Sequence, residues 1–373
     1  MKIGILTFHR ARNYGAFLQS ISLCSRLNTE NGIEAEVIDY DMLRGHNAYR
    51  ISPFSKKYLR HFGNFFFDVK MKKAFDRGYE RTKKLRSEET LVSDSLEEFQ
   101  NFVKNKYDVI IAGSDEIWNL RNFRGFAKPY FLIGDLGCRK FSYAASSRSK
   151  FDILNEKDHA LLKQALDEFE FISVRDEMTY NEIKSAGVPE EKMTVSCDPS
   201  LLYHFDVAKR DIAELTKGQS IDKNKKNILV LCENRQVKRK IKEQLGNEYN
   251  LISSAIRTDG YINVPDLDPF EWMEMINSVD LVISSFFHGI CYSIMNNTPF
   301  IAIASSESRR SKLDGLLSGT ELEYRFIDYR EIESVSWKET AKKFMGSVDF
   351  KEFVEERRKG FDRYLERLKA NNE

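Results

Sequence analysis

The sequence predicts an α/β protein of two domains, each built on a parallel sheet, facing one another across a cleft. Three observations carry this prediction. Short apolar runs alternate with longer helix-like stretches in both halves of the chain. The runs end in small or polar loops instead of turning straight back as hairpins. A polar, basic stretch then separates the two sets. With 373 residues, and roughly 150 residues to a domain, two domains are the expected number.

Residues 2–8 (KIGILTF) are the first expected strand. A polar loop from His9 to Gly15 leads to a helix from about Ala16 to Asn31, ended by Gly32. Residues 34–40 (EAEVIDY) are the next strand, which completes a βαβ unit and requires parallel pairing. The pattern recurs with a strand at 107–112 before Gly113-Ser114-Asp115, and another at 140–145 before Ser146-Ser147. A helix at 158–169 precedes a strand at 170–174 that ends at Arg175-Asp176. Residues 177–186 read as a helix closed by Gly187, and 193–197 lead into Asp198-Pro199. Residues 1–205 are therefore read as a Rossmann-like domain.

Residues 206–226 carry little apolar periodicity and several Lys and Arg, and are expected to be the linker. A second Rossmann-like domain is expected at 227–340. It has strands at 227–232, 249–253, 280–284 and 299–304, a helical stretch running to about Gly246, and helices at 269–278 and 289–296. The remainder, 341–373, holds an amphipathic helix. Phe350, Phe353, Val354, Phe361, Tyr364, Leu365 and Leu368 share one face of it, the face expected to pack on a domain.

Composition narrows the function. Hydrophobic residues at 42% and aromatics at 12% supply packed cores and exclude disorder as the main state. Lys plus Arg number 58 against 57 Asp plus Glu, so no nucleic-acid partner is expected. The five cysteines (Cys24, Cys138, Cys197, Cys232, Cys291) have neither a disulfide-framework nor a zinc-ligand spacing, and read as free thiols of a reducing cytosol. The first apolar run is too short for a signal peptide, and no run of about 18 apolar residues exists. A cytoplasmic protein is the expectation.

In open parallel sheets ligands sit beyond the carboxyl ends of the strands, so the loops there are the candidates for chemistry. In Asn13-Tyr14-Gly15, with Gln19 a turn later, the glycine permits close approach and the helix start offers N–H groups to an anion. An ordinary capped turn reads equally well. No G-x-G-x-x-G and no Walker A motif is present. Gly113-Ser114-Asp115-Glu116-Ile117-Trp118-Asn119 offers a carboxylate and a stacking ring to a sugar, or a helix cap. Arg175 offers a planar donor fork to a carboxylate or phosphate, or a surface ion pair. His288, in Ser284-Ser285-Phe286-Phe287-His288-Gly289, suits proton transfer or an anion contact, or a structural hydrogen bond. Downstream, Arg309, Arg310 and Lys312 suit a phosphate, or a solvated face.

Residues 56–86 stand apart. They hold eleven Lys or Arg against three acidic residues, interleaved with Tyr58, Phe62, Phe65, Phe66, Phe67, Phe75 and Tyr79. This composition suits contact with anionic lipid or a lipid diphosphate, or a helical excursion whose aromatics pack inside.

Taken in order, these loops resemble the polysaccharide pyruvyl transferase family, from Ile3 to about Leu317. The carrying segments are Thr7-Phe8-His9 with Asn13 to Gln19, then Gly113 to Asn119, Ser142-Tyr143-Ala144-Ala145-Ser146, and Ile172 to Asp176. Asp198-Pro199-Ser200-Leu201-Leu202, Ser284 to Gly289 and Thr298-Pro299-Phe300-Ile301 complete the series. The resemblance implies a two-domain fold similar to GT-B glycosyltransferases. It implies transfer of a pyruvyl unit from phosphoenolpyruvate to two hydroxyls of a sugar, in a surface polysaccharide or its lipid-linked precursor. A pyruvate ketal forms and phosphate leaves. No cofactor is expected, and no metal, because no His/Asp cluster in the sequence has ligand spacing.

The resemblance implies that His288 and Arg175 contact the donor. For the chemistry, His288 is assigned as donor-phosphate contact and candidate general acid, and Arg175 as the group that holds the donor carboxylate or phosphate. Asp115 is the candidate base or hydroxyl anchor for the acceptor. Asn13, Tyr14, Gln19 and Ser114 are expected on the acceptor side, with Trp118 as a sugar platform. The sequence departs from the family at Glu116, usually Gln, and at Phe286, where some members have Arg. Arg309, Arg310 or Lys312 would supply the missing cation, and Arg148, in place of a usual Gly, is a further anion ligand. A GT-B glycosyltransferase using a nucleotide sugar, or a non-catalytic glycan- or lipid-binding member, are the alternative readings. For the main reading, the basic segment 56–86 suits a peripheral contact at the inner face of the membrane.

Overall fold

The computed structural model describes residues 1–55, 58 and 62–370. The chain forms two six-stranded parallel sheets. The first joins β1 (Lys2–Leu6), β2 (Glu34–Val37), β5 (Val109–Ala112), β6 (Arg139–Ala145), β7 (Phe171–Val174) and β8 (Met193–Val195), in the order β2-β1-β5-β6-β7-β8. Between β2 and β5, β3 (Tyr40–Asp41) and β4 (Leu91–Val92) make a small parallel pair. The second sheet joins β9 (Lys226–Leu231), β10 (Tyr249–Ser253), β11 (Ile262–Asn263), β12 (Leu281–Ser284), β13 (Phe300–Ile303) and β14 (Phe326–Ile327), in the order β11-β10-β9-β12-β13-β14.

Every residue of β5, β7, β12 and β13 is buried, as strands covered by helices on both faces must be. This is why they read as continuous apolar runs. The strand order reverses between β1 and β5, and again between β9 and β12. Those two switch points leave crevices at the carboxyl ends of the strands.

The two halves share one apolar core. Tyr14 stacks on Trp272 with centroids 4.9 Å apart and 1° between planes, and its hydroxyl donates to Leu267 O. Ser22 Oγ and Tyr292 Oη meet at 3.2 Å. The segment 206–226 lies along the second domain, where Ile212 and Leu215 are buried and Arg210 Nη1 reaches Glu274 at 3.1 Å.

Two helices cross from one domain to the other. The helix Phe62–Arg81 leaves the first domain and buries Phe67, Met71, Ala74, Phe75 and Gly78. A Cβ on Gly78 would fall 2.5 Å from Pro269 Cδ, so only glycine lets the helices meet there. Arg77 pairs with Asp266 at 2.9 Å, and Arg81 with Asp268 at 2.9 Å. The aromatics of segment 56–86 thus divide, with Phe67 and Phe75 inside, and Phe62 and Phe66 exposed at 60% and 56%. Residues 56, 57 and 59–61 of that segment lie outside the described residues.

The last helix, Lys351–Lys369, returns to the first domain. Tyr364 packs 4.9 Å from Tyr143, and Arg139 Nη1 donates to Leu368 O at 3.0 Å. Arg358 Nε donates to Leu201 O at 2.6 Å. Among the described residues no helix is long and apolar enough to cross a membrane.

Tyr364 tests this crossing. Its ring is fully buried and its hydroxyl has no hydrogen-bond partner among the described residues. Tyr364→Ala should lower stability by about 3–5 kcal/mol, whereas Tyr364→Phe should leave the melting temperature unchanged or raise it. Thermal denaturation of the three proteins checks this.

Candidate active site between the domains

The first domain contributes four strand ends, and the backbone there is unusual. Asp115 follows β5 with φ of +75°, and it accepts from Ser146 N at 3.0 Å. Strand β6 shifts register between Ser142 and Ala145, with Ala144 at φ +50°, and Arg148 follows at +46°. Left-handed backbone at side chains other than glycine costs free energy and gathers where a site imposes it. Asp115 and Arg148 lie in the loops after β5 and β6, and Ala144 lies within β6 itself.

Beyond β8, Asp198 carries a fully buried carboxylate. Arg175, at the end of β7, donates from Nη1 to its Oδ2 at 2.8 Å. Ser114 Oγ donates to the same oxygen at 3.1 Å, and Ser200 N to Oδ1 at 2.9 Å. His288 Nε2, from the other domain, lies 3.7 Å from Oδ2. That is too long for a hydrogen bond, and this nitrogen has no other partner among the described residues. Burial pushes the Asp198 carboxyl up, but His288, Arg175 and the Ser200 amide outweigh it, and the group ends well below the usual carboxylate range.

His288 belongs to the helix Phe287–Met295, which follows β12. Phe286 occupies its cap position and provides no side-chain acceptor, so the first-turn N–H groups lack a side-chain cap. The imidazole presses against Gly15, where a Cβ would fall 2.0 Å from Nδ1. Any other residue at position 15 would displace the ring or separate the domains.

A cavity of about 270 Å³ lies between these loops. Asn13, Asp115 and Arg175 line it from one domain, and His288, Arg309 and Lys312 from the other. Arg12 adds a cation that makes no ion pair among the described residues, with its guanidinium 5.8 Å from the Tyr49 ring centre. A second interdomain cavity of about 580 Å³ shares Arg175, Phe287 and Lys312 with the first. Glu116 spans the domains to Lys312 and also faces Arg148 Nη1 at 3.3 Å. Burial pushes the Glu116 carboxyl up, while Lys312 and Arg148 pull it further down, to about 2.

The structure gathers His288, Arg175, Asp115, Lys312, Arg309 and Asn13 around one cavity, while Arg148 lines the neighbouring one. Other expectations from the sequence need correction. Trp118 is no sugar platform, because it is fully buried, stacked on Phe131 at 5.4 Å, with Nε1 donating to Tyr130 O. Gln19 is also fully buried and donates to Thr7 Oγ1 and Ala16 O. Ser114 is buried and serves Asp198 instead of an acceptor. Tyr14 borders the cavity, yet its hydroxyl is committed to Leu267 O. Asn13 Oδ1 accepts from Gly15 N and Ala16 N, so that helix start is not open to an anion. Arg310 turns away from the cavity to Asp328, at 3.0 Å.

Three residues of the site were not identified from the sequence. Arg12 is an ordinary loop arginine by pattern. Asp198 reads as a turn before Pro199, and only its position after a strand marks it. Glu233 follows β9, where it holds Arg309 Nε at 2.9 Å and Ser285 Oγ at 2.6 Å. Among the described residues no group of three His, Cys, Asp or Glu side chains is placed to hold a metal ion.

Two facing parallel-sheet domains with the site between them define the GT-B class. The fold is shared by the UDP-GlcNAc 2-epimerase of Neisseria meningitidis, at 12% identity and a TM-score of 0.53, with all of both chains covered. The Methanocaldococcus jannaschii enzyme of that name matches at 12% identity and a TM-score of 0.52, over 95% of this chain and 99% of the other. The Rickettsia bellii enzyme matches at 12% and 0.52, over 100% and 96%. No curated protein matches the sequence. The chain belongs to the polysaccharide pyruvyl transferase family, whose model matches residues 13–307.

The Glu116–Lys312 pair ties the domains by charge. Because the folded carboxyl titrates near 2 instead of near 4.5, its stabilisation is complete above about pH 4.5 and is lost as pH falls towards 2. Wild type should melt above Glu116→Gln at neutral pH, and the gap should narrow over that interval. Melting curves from pH 7 to pH 2.5 check the sign.

Proposed function

We propose that the protein transfers a pyruvyl unit from phosphoenolpyruvate to two hydroxyls of a sugar, releasing phosphate and leaving a cyclic ketal. The observation that carries this reading is the cationic interdomain cavity with His288 in its wall. Arg12, Arg175, Arg309 and Lys312 surround a space sized for a small phosphorylated acid, with Asp115 the acidic group among them. The uncapped helix start at Phe287 adds N–H dipoles suited to an anion.

The chemistry has three requirements. The methylene carbon of the enol takes up a proton, leaving an oxocarbenium-like centre at the adjacent carbon. One sugar hydroxyl adds to that centre and loses its proton. The bond to the phosphate oxygen then breaks, and the second hydroxyl closes the ring. One of the two hydroxyl protons balances the proton on carbon, and the other leaves with phosphate. His288 supplies and recovers protons, with Asp198 oriented towards its ring. Asp115 accepts the hydroxyl proton. Arg175, fixed by Asp198, holds the donor, and fixed cations stabilise the departing phosphate without rearrangement. Phe286 stands where some relatives carry Arg, and Arg309 lies over it with its guanidinium 5.3 Å from the ring centre. Arg309 therefore returns positive charge to that place from a different helix.

The acceptor is a glycan or its lipid-linked precursor. The exposed rings of Phe62 and Phe66, with Phe54 at 85% exposure just before the basic segment, support a peripheral contact with the membrane that carries such a precursor.

Phosphoenolpyruvate should raise the melting temperature of the wild-type protein. His288→Ala should cut phosphate release by about 10²–10⁴-fold while melting within a few degrees of wild type. Stabilisation by UDP and not by phosphoenolpyruvate would instead favour a nucleotide-sugar glycosyltransferase. Acceptor binding without phosphate release would favour a non-catalytic member. Arg309→Met should raise KM for phosphoenolpyruvate about tenfold or more, as expected for loss of a charge-assisted contact, and Arg310→Met should leave it unchanged. Steady-state phosphate-release kinetics separate the two arginines.

A further inference from the structure

A third cavity, of about 560 Å³, lies on the second domain beside the proposed active site. It shares Ala255 and Ile256 with the 270 Å³ cavity, so the two are neighbours along one groove. Five cations line it, against the carboxylates of Asp68, Glu233 and Asp259, so its wall carries a net positive charge. Arg235, Lys238, Arg239 and Lys242 come from the helix Arg235–Leu245, and Arg257 from the loop after β10. Arg239 pairs with Glu243 at 3.6 Å, and Arg257 with Asp259 at 3.0 Å. Arg235, Lys238 and Lys242 make no ion pair among the described residues.

The local structure keeps these charges together. Lys238 is 5% exposed, and its ammonium has a neutral partner, Thr258 Oγ1, at 3.0 Å. A buried cation without a counter-ion is costly unless an anion arrives to offset it. A Cβ on Gly260, at φ +78°, would fall 1.9 Å from Lys242 Nζ, so this loop is shaped around that lysine. The helix Phe62–Arg81 closes the other side with Asn64, Phe67 and Asp68, while its Phe62 and Phe66 are exposed.

We propose that this cavity binds a diphosphate group carried by the sugar acceptor, with the sugar reaching past Ala255 and Ile256 to the site of His288. The proposal rests on the reading of a glycan acceptor given above. A diphosphate fits because several unpaired cations line one wall, whereas a neutral glycan would leave them uncompensated. Such a group occurs in both prenyl-diphosphate and nucleotide-diphosphate sugars. The exposed rings on the closing helix suit a prenyl chain, and the experiment distinguishes the two.

Isothermal titration calorimetry of the full chain, without phosphoenolpyruvate, would use inorganic pyrophosphate, citronellyl diphosphate and UDP as probes. Pyrophosphate should bind wild type, more weakly as salt is raised. The Arg235→Glu/Lys242→Glu protein should bind it at least about tenfold more weakly, because two charge-assisted contacts are reversed. Lys238→Met should also weaken it, and His288→Ala should leave it unchanged. Arg235 and Lys242 are exposed, so the double variant should fold, and its melting curve checks that. Absent pyrophosphate binding, binding indifferent to the double variant and Lys238→Met, or binding abolished by His288→Ala would each overturn the proposal. Tighter binding of citronellyl diphosphate than of UDP assigns a lipid carrier, and the reverse order a nucleotide; both uphold the site. Pyrophosphate binding without phosphate release from phosphoenolpyruvate would sink the pyruvyl reading alone. Phosphate release without pyrophosphate binding would sink this cavity alone.

Discussion

The arrangement between the domains depends on one buried carboxylate. Asp198 receives a guanidinium from β7, a hydroxyl from β5 and a backbone N–H from its own turn, and it faces an imidazole from the second domain. An ionised group out of water is tolerated only when its lone pairs are met by donors. Meeting them fixes Arg175 and Ser114 in place. It also leaves His288 close to a negative charge but not bonded to it. Removing Arg175 would strand Asp198, so the two side chains act as one structural unit.

The cleft geometry has a different origin. It is set by apolar contact between the domains, with Tyr14 on Trp272 and glycines where backbones must touch. Gly15 admits His288 and Gly78 admits Pro269. Each half also lends a helix to the other. The helix Phe62–Arg81 lies on the second domain, and Lys351–Lys369 lies on the first. The domains therefore meet through a continuous core, and charged pairs such as Glu116–Lys312 adjust that meeting without creating it.

Charge is distributed along the groove in a way the net value of +1 conceals. Cations collect at the interdomain cavity and again around Lys238 and Lys242. Acidic side chains hold several of them at fixed positions, as Glu233 does for Arg309 and Asp198 for Arg175. Fixed cations suit the transfer of phosphorylated groups, since they need not reorganise when negative charge moves.

The sequence by itself determined the alternation of strands and helices, the division into two sheets and the loops that bear His288, Arg175 and Asp115. These follow from local periodicity and from the position of polar residues after apolar runs. Two-residue strands such as β11 and β14 left no trace, because their pairing is supplied by neighbours and not by pattern. Only the tertiary structure decided which polar side chains reach the cleft. Trp118 and Gln19 follow strand or helix starts as candidates should, yet chain packing over them makes them core. Arg309 and Arg310 are adjacent in sequence, but one residue of helix is about 100° of rotation, and this sends one to the cavity and the other to Asp328. The partners of Asp198, drawn from four places along the chain, are likewise contacts between distant segments, and no local spacing encodes them.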